Sequence, residues 1–149
     1  MRAIELARHG MKRGDGGPFG ALVARDGGIV GEGWNRVLST RDPTAHGEVT
    51  AIRDACKRLG TFDLGGCDIF TTGEPCPMCL GAIQWARIAS IRYGFSNEDA
   101  ADIGFDDREF HRQMCLPRDE RRIPSASLCR DEALRLATDY AEMPGRRIY

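Results

Sequence analysis

Residues 67–95 read CDIFTTGEPCPMCLGAIQWARIASIRYGF, and they decide the fold. CDIFT (67–71) reads as a strand. Pro75 to Arg87 reads as a helix, with Pro75 and Pro77 at its beginning, where a missing N–H costs nothing. ASIRYGF (89–95) reads as the next strand. Strand, helix and strand in this order imply a parallel pair with a helix packed on the sheet, so the chain is of α/β class.

Working outward, Thr44 to Leu59 predicts another helix. Val49, Ile52, Ala55, Cys56 and Leu59 share one of its faces, and Gly60 is its stop. ALVAR (21–25), the turn Asp26-Gly27-Gly28 and IVGEGW (29–34) predict a β-hairpin, which makes the sheet mixed. Asn35 follows at the end of its second strand. Ile4, Leu6, Ala7 and Met11 predict an opening helix over residues 2–11, and DGGPFG (15–20) a loop. Downstream, residues 97–122 predict short helical pieces, PSASLC (124–129) a fifth strand, and Asp131 to Met143 a last helix. The expectation is one domain, 1–149, built on a mixed five-stranded sheet with helices on both faces.

Composition narrows the class. The chain has 149 residues, 42% of them apolar and 29% charged, which excludes a disordered or fibrous protein. No apolar run reaches the roughly 18 residues of a membrane span. The first residues show no signal peptide, so a cytoplasmic location is expected. Basic residues number 21 against 22 acidic, a net charge of −1. A nucleic-acid binder usually carries a basic excess or stripe, and none is visible. Six cysteines stand at 56, 67, 76, 79, 115 and 129. In a reducing compartment they stay thiols. Cys56, Cys67, Cys115 and Cys129 read as buried packing residues.

Cys76 and Cys79 read differently. They lie three apart at a helix start, so one turn brings both sulfurs to the same side. The positive end of the helix dipole favours the thiolates that bind zinc. His46 opens the preceding long helix and supplies a third donor. Three protein ligands leave one tetrahedral position open, the pattern of a catalytic zinc. Glu48 is two residues from His46, so on a regular helix the two would point about 200° apart. They converge on one centre only at the very beginning of a helix, where Glu48 can act as a general acid and base. A closed four-ligand zinc site needs a further ligand, and His9, His111 and the other cysteines show no recognisable spacing for one. A bare Cys-x-x-Cys also suits a redox pair. His-x-Glu followed by Pro-Cys-x-x-Cys on two helix starts is the signature of zinc nucleobase deaminases.

With these motifs the chain resembles the cytidine deaminase-like superfamily, which implies its three-layer fold and one zinc per chain. DPTAHGEVTAIRDAC (42–56) and GEPCPMCLGAIQWAR (73–87) are similar to both tRNA adenosine deaminases and bacterial guanine deaminases. GGPFGALV (16–23), AADIGFDD (100–107) and the terminal Tyr149 resemble the bacterial guanine deaminases over essentially the whole chain. That resemblance implies hydrolysis of guanine to xanthine and ammonia. It implies His46, Cys76 and Cys79 as zinc ligands and Glu48 as proton shuttle. It implies Asn35 on the purine edge and Phe19 on the purine face. Trp85 either lines the pocket or packs in the core. Asp107 reads the N–H donors of guanine, for which an acceptor-only carboxylate is suited, with Asp106 as its alternative. The resemblance further implies a homodimer exchanging a C-terminal segment of about 130–149, with Tyr149 closing the partner's pocket.

Two positions depart from the family pattern. Gly47 stands where Ala is usual, and Gly73 where a larger residue is usual. Both flank the metal residues. They leave open a related free base (isocytosine, cytosine, an ammeline-type triazine, 8-oxoguanine) or guanosine. A tRNA adenosine deaminase and a non-enzymatic zinc-stabilised interaction module are the remaining alternatives.

Overall fold

A computed structural model describes residues 1–148. Its elements run α1 (Arg2–Arg13), β1 (Gly20–Arg25), β2 (Gly28–Trp34), α2 (Val37–Thr40), α3 (Gly47–Leu59), β3 (Asp68–Gly73), α4 (Pro77–Trp85) and β4 (Ser90–Phe95). They continue with α5 (Asn97–Asp102), α6 (Arg108–Cys115), a 3-10 turn (Arg118–Glu120) and α7 (Arg130–Glu142).

The sheet order is β2-β1-β3-β4. β1 pairs antiparallel with β2 and with β3, and β3 pairs parallel with β4. The hairpin turns on Asp26 (φ 50) and Gly27 (φ 78), two left-handed residues that match the twist of the flanking strands. Helices cover both faces, and three glycines show where. A side chain on Gly20 would run into the Ala3 carbonyl and Ala7 of α1. On the other face, a Cβ on Gly31 would lie 2.5 Å from the Ala51 carbonyl, and one on Gly33 2.4 Å from the Ala51 amide, both in α3. Beneath α3 and α4 lies the core: Ala21, Val23, Ala51, Ile52, Ala55, Leu64, Cys67, Ile69, Ile83 and Ala86.

The expected α/β class and mixed sheet are present, but the sheet has four strands among the described residues. Residues 124–129 form no ladder and all six are exposed. An extended segment becomes a strand only when a neighbour takes its backbone hydrogen bonds, and none does so among the described residues. The long helices also start later than the pattern predicts. His46 (ψ 159) and Cys76 (ψ 169) keep extended backbones as N-caps, which shortens the helices to Gly47–Leu59 and Pro77–Trp85. Cys67 is fully buried as expected, whereas Cys115 and Cys129 are exposed.

The chain divides into two compact units, Met1–His111 and Arg112 onward. The first holds the whole sheet and core. In the second no residue of 112–148 is buried, and α7 exposes Leu134, Leu136 and Tyr140.

Candidate active site

Two helix starts meet at the carboxyl end of β3. His46 caps α3 and Cys76 caps α4, so both side chains leave the backbone just outside a helix N-terminus. His46 Nδ1 lies 3.6 Å from Cys76 Sγ and 3.6 Å from Cys79 Sγ. The three donor atoms all fall within 4.8 Å of one another. Tetrahedral zinc with Zn–S of about 2.3 Å and Zn–N of about 2.05 Å places sulfur and nitrogen roughly 3.6 Å apart, so the donor set fits the metal.

Electrostatics agree with a thiolate centre. Hydrogen bonding from Cys79, then from His46, holds the Cys76 thiol down to about 4. Cys79 is pushed up by its bond to the Cys76 sulfur and by burial, so it keeps its proton until a cation displaces it. The Cys76 thiolate raises His46. Glu48 sits in the first turn of α3, 5% exposed, and burial raises its carboxyl above the usual range. It lies in electrostatic reach of Cys76, His46 and Cys79, which sets it beside the donor cluster. The extended His46 backbone achieves this convergence, since a continuous helix would separate the two side chains.

Asn35 is buried at the end of β2. Its backbone N–H donates to the Phe19 carbonyl (2.7 Å), and its side-chain Oδ1 accepts from the Val37 N–H (3.2 Å). Phe19 meets Phe105 edge-on at 4.9 Å and Phe95 at 5.7 Å between ring centroids. Thr72 ties this loop to β3: its hydroxyl accepts from the Gly20 N–H (3.0 Å) and donates to the Pro18 carbonyl (2.9 Å).

The two aspartates of the 100–107 segment have different surroundings. Asp106 accepts three bonds from Arg108, from the backbone N–H (3.1 Å), Nε (2.8 Å) and Nη2 (2.6 Å). Asp107 is sheltered, and its Oδ1 is buried with no hydrogen-bond partner among the described residues. Burial raises its carboxyl, and it lies in electrostatic reach of Cys76 and His46.

Trp85 ends α4 and is 68% exposed, so it is not a core residue. It is six residues beyond Cys79 and about 120° round the helix from it. Tyr149 lies outside the described residues. Sequence reasoning missed Phe95, Glu74, Asn97 and His111, which surround these groups. The one available signal was the i, i+4 spacing of Asp107 and His111.

Residues 1–95 match the cytidine and deoxycytidylate deaminase zinc-binding region. The chain is 52% identical to a guanine deaminase of Bacillus subtilis over 83% of its own length and 79% of that protein's. It is 38% identical to a tRNA-specific adenosine deaminase of Agrobacterium fabrum over 66% of its length and 64% of that protein's. Among solved structures, a guanine deaminase from Bacillus subtilis matches with a TM-score of 0.95 at 45% identity, covering 99% of this chain and 94% of that one.

Proposed function

This chain belongs to the cytidine and deoxycytidylate deaminase zinc-binding family, and we propose that it hydrolyses free guanine to xanthine and ammonia. His46, Cys76 and Cys79 would hold the zinc. Bound there, zinc is a Lewis acid that makes water nucleophilic at neutral pH. Glu48 takes the proton from the attacking water and passes it on, finally to the departing amine, so the water oxygen ends on C2 and nitrogen leaves as ammonia. Its burial keeps bulk water from competing for that proton.

The observation that carries the choice of guanine is Asp107. A buried carboxylate oxygen without a partner is costly, and the N–H donors of guanine would satisfy it. Asp106, already engaged by Arg108, has no such need. Asn35 would hold the purine edge, and Phe19, wedged between Phe95 and Phe105, its face. Net charge of −1 favours a free base over tRNA. Pure protein incubated with guanine should release xanthine and ammonia. No turnover at micromolar enzyme would sink this reading, and isocytosine, cytosine, ammeline, 8-oxoguanine and guanosine in parallel would show which relative replaces it.

The same reading includes a homodimer in which the segment of about 130–149 is exchanged and Tyr149 completes the partner's pocket. It is supported by the exposed Leu134, Leu136 and Tyr140 of α7, an apolar set that calls for a covering surface. Trp85, exposed on the other unit, belongs with the dimer contact or the partner's pocket. We place the enzyme in the cytoplasm, where the thiols of its zinc site stay reduced. No helix is long and apolar enough to cross a membrane.

A further inference from the structure

We infer that His111 is the positioning residue for the Asp107 carboxylate and sets how tightly the base is held. The inference rests on the reading that Asp107 binds the base.

Asp107 has to present one oxygen to a ligand and keep the other fixed. Its Oδ1 is buried and has no partner among the described residues. Its Oδ2 lies 3.4 Å from His111 Nε2, one turn further along the chain. The side chain of Asp107 is 15% exposed and that of His111 40%, so the carboxylate is sheltered while the imidazole reaches water. An N–H donated to a sheltered carboxylate is stronger than one at the surface.

The same Nε2 has a second neighbour, the side-chain amide of Asn97 at 3.4 Å. Nε2 has one hydrogen to give, so the arrangement needs that hydrogen on Nε2 and directed at Asp107, with the Asn97 amide turned to offer its oxygen. The Asn97 backbone N–H donates to Glu74 Oε2 (3.2 Å), and the Glu74 N–H donates to the Phe95 carbonyl (2.9 Å). Glu74 stands two residues before Cys76. A line of contacts through Glu74, Asn97 and His111 therefore joins the metal-binding loop to the base-reading carboxylate. The neighbouring Asp106 shows the alternative. Arg108 grips both of its oxygens, which ties that carboxylate to its own helix start. A single imidazole nitrogen beside Oδ2 leaves Oδ1 of Asp107 open to a ligand.

The test uses full-length, zinc-loaded enzyme with His111→Ala and His111→Gln, read by guanine kinetics and by the equilibrium Kd of xanthine, which is not turned over. His111→Ala should raise KM and the xanthine Kd about tenfold, the effect of one lost charge-assisted hydrogen bond. It should leave kcat within about threefold and zinc content unchanged. His111→Gln, which keeps a donor, should recover most of the loss. In an Asp107→Asn background, His111→Ala should change the xanthine Kd no further. Additive losses in that background, or a fall in kcat with KM and Kd unmoved, overturn the proposal. If His111→Ala fails to fold, the Gln variant and its double with Asp107→Asn decide. Failure of the wild-type enzyme to bind xanthine or convert guanine overturns the guanine reading itself and takes this inference with it.

Discussion

Phe95 fills the space that a side chain on its strand partner Gly73 would need. A Cβ on Gly73 would meet the Phe95 ring at 2.5 Å and the Phe19 ring at 3.1 Å. The glycine that the sequence reading marks as a departure is thus matched by an aromatic ring. Gly73→Ala should destabilise the protein by about 1–3 kcal/mol, the usual cost of overpacking. Combining it with Phe95→Leu should recover part of that loss, because the two positions share one volume. Urea unfolding of the three variants measures the coupling, and strictly additive losses would show that the two residues do not compete for space.

Glu48 is buried beside the donor cluster, and its role separates from its packing. Glu48→Gln keeps the shape and removes the proton acceptor. Turnover should fall about 10²–10⁴-fold, with zinc retained. Burial raises the Glu48 carboxyl, so its charged form is the disfavoured one in the fold. Stripped of metal, the Gln variant should therefore melt no lower than metal-free wild type. Retained activity would remove Glu48 from the mechanism.

The metal residues were legible because their logic is local. Three donor types, two helix starts and the spacing of Cys76 and Cys79 suffice to bring them together. The convergence of His46 and Glu48 followed from helix geometry alone. The Gly73–Phe95 contact and the run from Glu74 to Asp107 were not legible, because each joins elements that meet only after the sheet has formed. PSASLC misled because apolar and small residues in a short run suit a strand only when a neighbour exists. Trp85 misled for a related reason. α4 is apolar all round, yet only Cys79 and Ile83 of its nine residues are buried.

Metal and core are separable. The core cluster from Ala21 to Ala86 includes none of the three donors. Wild-type protein should carry about one zinc per chain, and Cys76→Ala should carry none. Zinc should raise the wild-type Tm, since a ligand that binds only the native state stabilises it. A chelator should lower that Tm to the value of Cys76→Ala while the far-UV circular dichroism stays native. Loss of secondary structure on chelation would contradict this separation.

The exposed residues of α7 predict an assembly. Light scattering at micromolar concentration should give twice the chain mass of 16.5 kDa. Leu136 is 70% exposed, so in a monomer Leu136→Glu would be harmless. In the exchanged dimer it should shift the mass towards one chain and lower activity. A monomeric wild type would end the exchange proposal.

Acid stability has an identifiable contributor in Asp15. Its carboxylate is nearly buried and accepts from the Trp34 indole N–H at 2.9 Å, with Arg13 Nε at 3.2 Å. The Trp34 bond, then those of Ser39 and Arg13, hold it below its ordinary value of 3.8. The native state thus binds this proton more weakly than the unfolded chain. The stabilisation is fully present above the ordinary value and disappears as pH falls through the lower native one. Glu32, Asp42, Asp99 and Asp106 are lowered as well, so wild-type stability should decline steeply below about pH 4. Asp15→Asn removes one share of that dependence. It should be less stable at pH 7 and its stability should fall less steeply with acid, in urea titrations followed by tryptophan fluorescence. An unchanged acid slope in Asp15→Asn would show that the Trp34 bond does not hold the proton off.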